Sequence, residues 1–144
     1  MTDTIRTKSY LTASVFQDGQ APGSITEQDE RDFVVSAHAW IAPAPVALTD
    51  GATITWDTGG YATSHATVTL GGNRILDITN AVSGASGVLV VTQDGTGSRT
   101  LTLPSGSTSS GGGITLSTAA GAVDVLSWVY LGTTYYWTFG ADFS

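Results

Sequence analysis

From Arg74 to the C-terminus the chain is written in short runs of β-branched and aromatic residues: Arg74-Ile75-Leu76-Asp77-Ile78-Thr79-Asn80, then Gly87 to Leu103, then Val123-Asp124-Val125-Leu126-Ser127-Trp128-Val129-Tyr130. Gly, Asp and Asn separate the runs. Residues of the first kind fit a pleated, half-buried surface and the separators bend the chain, so the stretch predicts antiparallel strands joined by tight turns. Strands are expected over residues 52–56, 66–70, 75–79, 88–93, 100–103, 114–117, 123–130 and 135–139. Short strands at this spacing predict an all-β fold, an antiparallel β-sandwich or barrel-like domain. Asp94-Gly95-Thr96-Gly97 and Leu131-Gly132-Thr133-Thr134 read as hairpin reversals, and the Ser/Gly segment 105–113 as a loop.

The 144 residues suffice for one compact domain with a short appendage. Only 12% of them are charged, against about a quarter in ordinary soluble domains, so solubility must come from hydroxyls or from cover by other subunits. A net charge of −7, with five basic residues, excludes wrapping of nucleic acid, which needs Lys and Arg to displace counterions. The absence of Cys excludes disulfides and thiolate metal sites. The segment Met1-Thr2-Asp3-Thr4-Ile5-Arg6 has no apolar core of a secretion signal, and no run is long enough to cross a bilayer. No membrane partner is expected, and the protein is expected to stay in a cytoplasm or enter a particle assembled there.

Residues 1–45 read differently from the rest. Tyr10 to Phe16 alternates loosely, as an extended arm does, and Ser24-Ile25-Thr26-Glu27, with Thr26 and Asp29 repeating the device, has capping-box spacing. One short helix is predicted over residues 27–37, with Phe33, Val34 and Ala37 on its apolar face. Trp40-Ile41-Ala42-Pro43-Ala44-Pro45-Val46 then reads as a stiff linker, because each Pro removes a donor and disfavours helix before it. The expected organisation is an N-terminal arm, helix and linker over 1–45 and a β-sandwich domain over 46–144.

Catalysis needs a base, a nucleophile and an orienting group, and the two histidines, His38 and His65, have neither partner in the pattern. Asp50, Asp57, Asp77, Asp94, Asp124 and Asp142 fall at strand ends, where they read as turn residues bonding to nearby amides. The expectation is therefore no enzyme, no catalytic residue, no metal and no cofactor. The last hairpin is the anomaly. Val123, Val125, Val129 and Leu131 share one face, Leu126, Trp128 and Tyr130 the other, and Tyr135, Tyr136, Trp137 and Phe139 continue the trait. One sheet needs one apolar face, so a second predicts cover from residues 1–45 or from other copies. Obligate interfaces favour aromatic anchors, which assigns the subunit interface to Leu126, Trp128, Tyr130, Tyr136 and Trp137. Trp56 and Tyr61, beside the Asp57-Thr58-Gly59-Gly60 turn, are the expected exposed rings for stacking on a sugar.

The ordered set Thr53-Ile54-Thr55-Trp56-Asp57, Val68 to Leu76, Gln93 to Leu101, Leu116 to Leu126 and Val129 to Tyr136 resembles a β module of tailed-bacteriophage virion proteins, found in tail fibres, head fibres and capsid-surface proteins. Residues Ile25 to Ser36 resemble the short segment near the N-terminus of many of them. The resemblance implies a non-enzymatic virion component, usually trimeric. In a short chain with no repetitive shaft it points to a homotrimeric capsid decoration or cement protein bound to the major capsid protein on the capsid surface and assembled in the host cytoplasm. Tyr10, Phe16, Phe33 and Trp40 would then touch capsid or neighbour. The alternative is a tail-fibre or head-fibre module holding a host surface glycan.

Overall fold

The structure is a computed structural model and describes residues 44–143 together with Thr26, Asp29, Glu30, Arg31 and Val34. The chain divides into two units, Met1–Pro43 and Ala44–Ser144. In the first, Asp29, Glu30, Arg31 and Val34 are helical. The capping box forms at its Thr26 version: the Asp29 amide donates to Thr26 Oγ1 at 3.2 Å and the Thr26 amide to Asp29 Oδ2 at 3.0 Å. Glu30 and Arg31 are exposed, and so is Val34, which was expected on the apolar face. Phe33 and Ala37, the rest of the expected apolar face, lie outside the described residues, as do Tyr10, Phe16 and Trp40.

The second unit is all-β. Its strands are β1 (Val46–Ala47), β2 (Thr53–Asp57), β3 (Thr63–Leu70), β4 (Arg74–Thr79), β5 (Ser86–Gln93), β6 (Leu101–Thr102), β7 (Ser107–Ser109), β8 (Val123–Leu131) and β9 (Thr134–Gly140). They form two open sheets, one of six strands in the order β1-β3-β5-β8-β9-β7 and one of three in the order β2-β4-β6. The sandwich is as predicted. The antiparallel pairing is not: β1–β3, β2–β4, β3–β5, β4–β6 and β7–β9 are parallel, and only β5–β8 and β8–β9 are antiparallel.

The cause is the route of the chain. From β1 to β6 consecutive strands alternate between the sheets, and each pairs in parallel with the strand two before it, so the chain winds as coils and each coil adds one strand to either sheet. Val46 opposite Ala66 and Ala66 opposite Leu89 make each coil a little over twenty residues. The turn at Asp94–Gly97 is consequently a corner between sheets and not a hairpin. Asp94 Oδ1 accepts the Thr96 and Gly97 amides, both at 2.9 Å, and buried Gln93 exchanges two side-chain bonds with the Arg99 main chain, which turns the strand toward β6. The hairpin expected at 131–134 does form, with Leu131 opposite Thr134 and Gly132 at φ 64°.

Other departures are local. Val46 and Ala47 pair with β3 where a linker was expected, and β7 lies inside the expected Ser/Gly loop. Residues 114–117 are not a strand. They are tied instead by Asp124, fully buried, which accepts the Ser117 amide and hydroxyl at 2.8 and 2.7 Å and the Asp142 amide at 3.0 Å.

Strand alternation places Ile54, Trp56, Ala66, Val68, Leu70, Leu76, Ile78, Leu89, Val91, Leu126, Trp128, Tyr135 and Trp137 in one core between the sheets. Trp128 is its centre, edge-on to Trp56 and Tyr135 with ring centroids 5.7 Å apart in each case, and 6.5 Å from Trp137. Gly87 stands opposite Trp128 in the register, and a methyl group there would sit 2.5 Å from the Ser64 carbonyl oxygen and 2.6 Å from the indole. Overfilling a packed core by one methyl costs about 1–3 kcal/mol. Gly87→Ala is expected to lower the stability measured in urea by that amount, while Gly95→Ala, with nothing within 4 Å of the added methyl, should stay within about 0.5 kcal/mol of the parent.

Candidate functional site

Side chains that alternate away from the core make the outer face of the six-stranded sheet. Following the register, Thr63, His65, Thr67 and Thr69 of β3 lie beside Ser86, Val88, Val90 and Thr92 of β5. Beside these stand Val123, Val125, Ser127 and Val129 of β8, then Tyr136 and Thr138 of β9. None of these positions carries Lys, Arg, Asp or Glu. Val129, Leu131 and Tyr136 are exposed by 41%, 52% and 50%, too much for buried anchors and enough for an apolar contact surface. At the β1 side the face opens into a shallow groove of about 490 Å³, floored by Thr67, Thr69, Val90 and Thr92 and edged by Leu48 and Asp50.

The expectation of two apolar faces on the last hairpin therefore holds, but the aromatic face was the wrong one to leave open. Leu126, Trp128 and Trp137 are 0–2% exposed within one chain, so they cannot anchor a neighbour in this fold. The physical reason is size: a large ring fills the gap between two sheets better than Val does. Tyr130 is half-buried and stacks on Tyr135 with centroids 4.4 Å apart; of the five expected interface residues, Tyr136 alone is exposed. Trp56 is wholly buried, and its indole N–H donates to Ser64 Oγ at 3.0 Å, so it offers no ring to a sugar. Tyr61, also expected to be exposed, is half-buried.

Within the described β unit Asp124 of β8 is buried, Asp77 lies in the smaller sheet, and the other charged residues stand at strand ends or in the connections. At one end Arg74 holds Asp50 through two bonds, Nε to Oδ1 at 2.8 Å and Nη2 to Oδ2 at 2.6 Å, and Arg99 Nη2 holds Asp94 Oδ2 at 2.8 Å. The Asp94 carboxylate thus carries Arg99 and the two turn amides. At the other end Asp57 and Asn80 close the β2 and β4 strands. Among the described residues no three His, Cys, Asp or Glu side chains converge as a metal site, and no helix is long and apolar enough to cross a membrane.

With this geometry in place, comparison with known proteins is informative. A family model described as "Putative phage tail fibre C-terminal domain" matches residues 54–135. The chain belongs to this tail-fibre family. The matched span runs from inside β2 through β8 to the first two residues of β9. No curated protein and no solved structure matches the chain. A phage structural protein and virion component of tail-fibre type is thus established.

The Asp94 turn of this tail-fibre domain has a pH signature. The Arg99 guanidinium first, and the Gly97 amide next, pull the Asp94 carboxyl from 3.8 to about 2. A carboxyl depressed on folding contributes stability that is complete above its unfolded value and lost as pH falls through its folded one. Asp94→Asn should lower the thermal midpoint at about pH 6, by less than Gly87→Ala does, and the gap to the parent should close between about pH 4 and pH 2. A gap of unchanged size at pH 2 would show that charge does not hold this turn.

Proposed function

We propose that the chain is a receptor-binding module of a phage tail fibre, that its copies associate through the outer face of the six-stranded sheet, and that its loops contact the host surface glycan. Binding, with no chemical step, is the activity. The observation that carries the reading is the family match over residues 54–135, joined to a neutral sheet face on a chain of net charge −7. Like-charged copies repel, and a surface without carboxylates is where they can approach at least cost. A trimeric capsid decoration protein on the major capsid protein, which the short chain suggested, ranks behind this, because the family match points to the tail.

The neutral face is also large enough to matter. Four strands spaced about 4.8 Å apart, eight residues long at about 3.3 Å each, cover on the order of 500 Å². That is over half of the roughly 800 Å² per partner that a stable interface buries. Thr, Ser and Val make up most of it, with His65 and Tyr136, so a neighbouring copy meets no carboxylate on these strands.

Native mass spectrometry of the purified chain is expected to show three copies, and Val125→Lys, which places a charge in the middle of the face, should leave monomers with an unchanged circular dichroism spectrum. A parent chain that stays monomeric at tens of micromolar would overturn the association. Binding to empty capsids with no binding to host cells would return the protein to the head.

A further inference from the structure

We propose that the turn Asp57–Tyr61, together with Asn80, forms a subsite for one residue of a neutral, hydroxyl-rich glycan; the inference rests on the receptor-binding reading above. The site stands where β2 and β4 end side by side. Asp57 Oδ1 accepts two hydrogen bonds at 2.8 Å, from the Gly59 amide and from Asn80 Nδ2. Both go to the same oxygen, so Asp57 Oδ2 has no protein donor among the described residues and faces solvent on an exposed side chain. The same two donors hold the Asp57 carboxyl below its ordinary range, Asn80 contributing most, and keep it an acceptor in mildly acidic surroundings.

The turn supplies the rest. Gly59 and Gly60 both have positive φ, 61° and 74°, and the Tyr61 amide returns to the Thr58 carbonyl at 3.1 Å, so the backbone reverses in two residues. Its Gly60 amide has no protein acceptor among the described residues. The Tyr61 ring lies directly over Gly59, where a methyl group would be 2.8 Å from Cε2, so the glycine is what lets the ring sit there. Asn80 is itself at φ 57°, a conformation few side-chain-bearing residues adopt, and its amide is thereby aimed at Asp57.

Carboxylate oxygen, backbone amide, carboxamide and the uncovered part of a half-buried phenol ring together make the set that reads a sugar: acceptors and donors for adjacent hydroxyls, and a flat ring for an apolar C–H face. No Lys or Arg side chain pairs with Asp57 among the described residues, and the chain carries −7, so the site disfavours uronic or sialic acid residues. The ligand class is accordingly neutral.

The test uses the full chain on an array of bacterial-surface oligosaccharides, and on host cells before and after periodate, which cleaves vicinal diols. Binding to neutral glycans in preference to acidic ones is expected, lost on periodate treatment, and weakened tenfold or more by Tyr61→Ala and by Asp57→Asn. The latter keeps an oxygen for Gly59 and Asn80 and so spares the turn. Thr102→Ala, on another strand, should bind as the parent does, and circular dichroism should show all variants folded. Glycan binding that both variants retain would overturn this site and leave the receptor reading intact. Cell binding sensitive to protease and not to periodate would overturn the glycan as ligand. No binding to host cells at all would overturn the receptor reading itself.

Discussion

Everything in the β unit depends on Trp128 being wedged between two sheets over a residue with no side chain. Its ring meets Trp56 from the smaller sheet and Tyr135 and Trp137 from its own, so one side chain fastens the closing hairpin to the first coil. Gly87 is the room it needs, with Ser64 as the other wall. The neighbouring indoles are polar-satisfied by small hydroxyls, Trp56 on Ser64 and Trp137 on Ser107, whereas the Trp128 N–H is buried without an acceptor. A buried unpaired donor costs about 1–3 kcal/mol, and edge-to-face contacts contribute about 0.5–1.5 kcal/mol each beyond area, so two such contacts roughly offset it.

That wedge also explains which parts of the fold were legible in the sequence. Strand existence was legible because alternation is a local property: Ile54 and Trp56 in β2, or Leu126 and Trp128 in β8, show the buried face at period two whatever the partner strand. The direction of the partner was not. A corner that carries the chain to the opposite sheet and a hairpin that returns it to the same one use the same Gly and Asp chemistry, as Asp94–Gly97 and Leu131–Thr134 demonstrate side by side. Unequal coils hid the winding further, since no residue recurs at a fixed interval between Val46, Ala66 and Leu89. The strands that escaped notice, β1 and β7, are two and three residues long and owe their existence to neighbours rather than to propensity.

The surface was half legible for a related reason. That the last hairpin is apolar on both sides is written in Val123 to Tyr130, but which side a single chain consumes depends on the gap between sheets, a tertiary quantity. Large rings fill that gap and leave the valines outside, so the aromatic residues that would anchor many interfaces are here the interior. Tyr61 is only partly buried because it follows a turn of two glycines, beyond the last buried position of β2, whereas Trp56 lies inside the buried alternation. Asp57 and Asn80 come together only through the β2–β4 register, 23 residues apart in the chain, and no local pattern pairs them.

The architecture separates two demands that a fibre module must meet at once. Rigidity comes from parallel coils and the aromatic wedge, all interior. The surfaces that remain are a neutral sheet face, regular because it belongs to continuous strands, and the end loops, several of which are tied by side chains such as Asp94 and Asp124. In the turn at Asp57–Tyr61 the exposed Asp57 and the partly buried Tyr61 stand outside the core, whereas Thr58 between them is buried and donates its hydroxyl to the Thr79 carbonyl. On the proposed reading, a fold of this design alters what it binds at its ends while the face on which its copies pack stays constant.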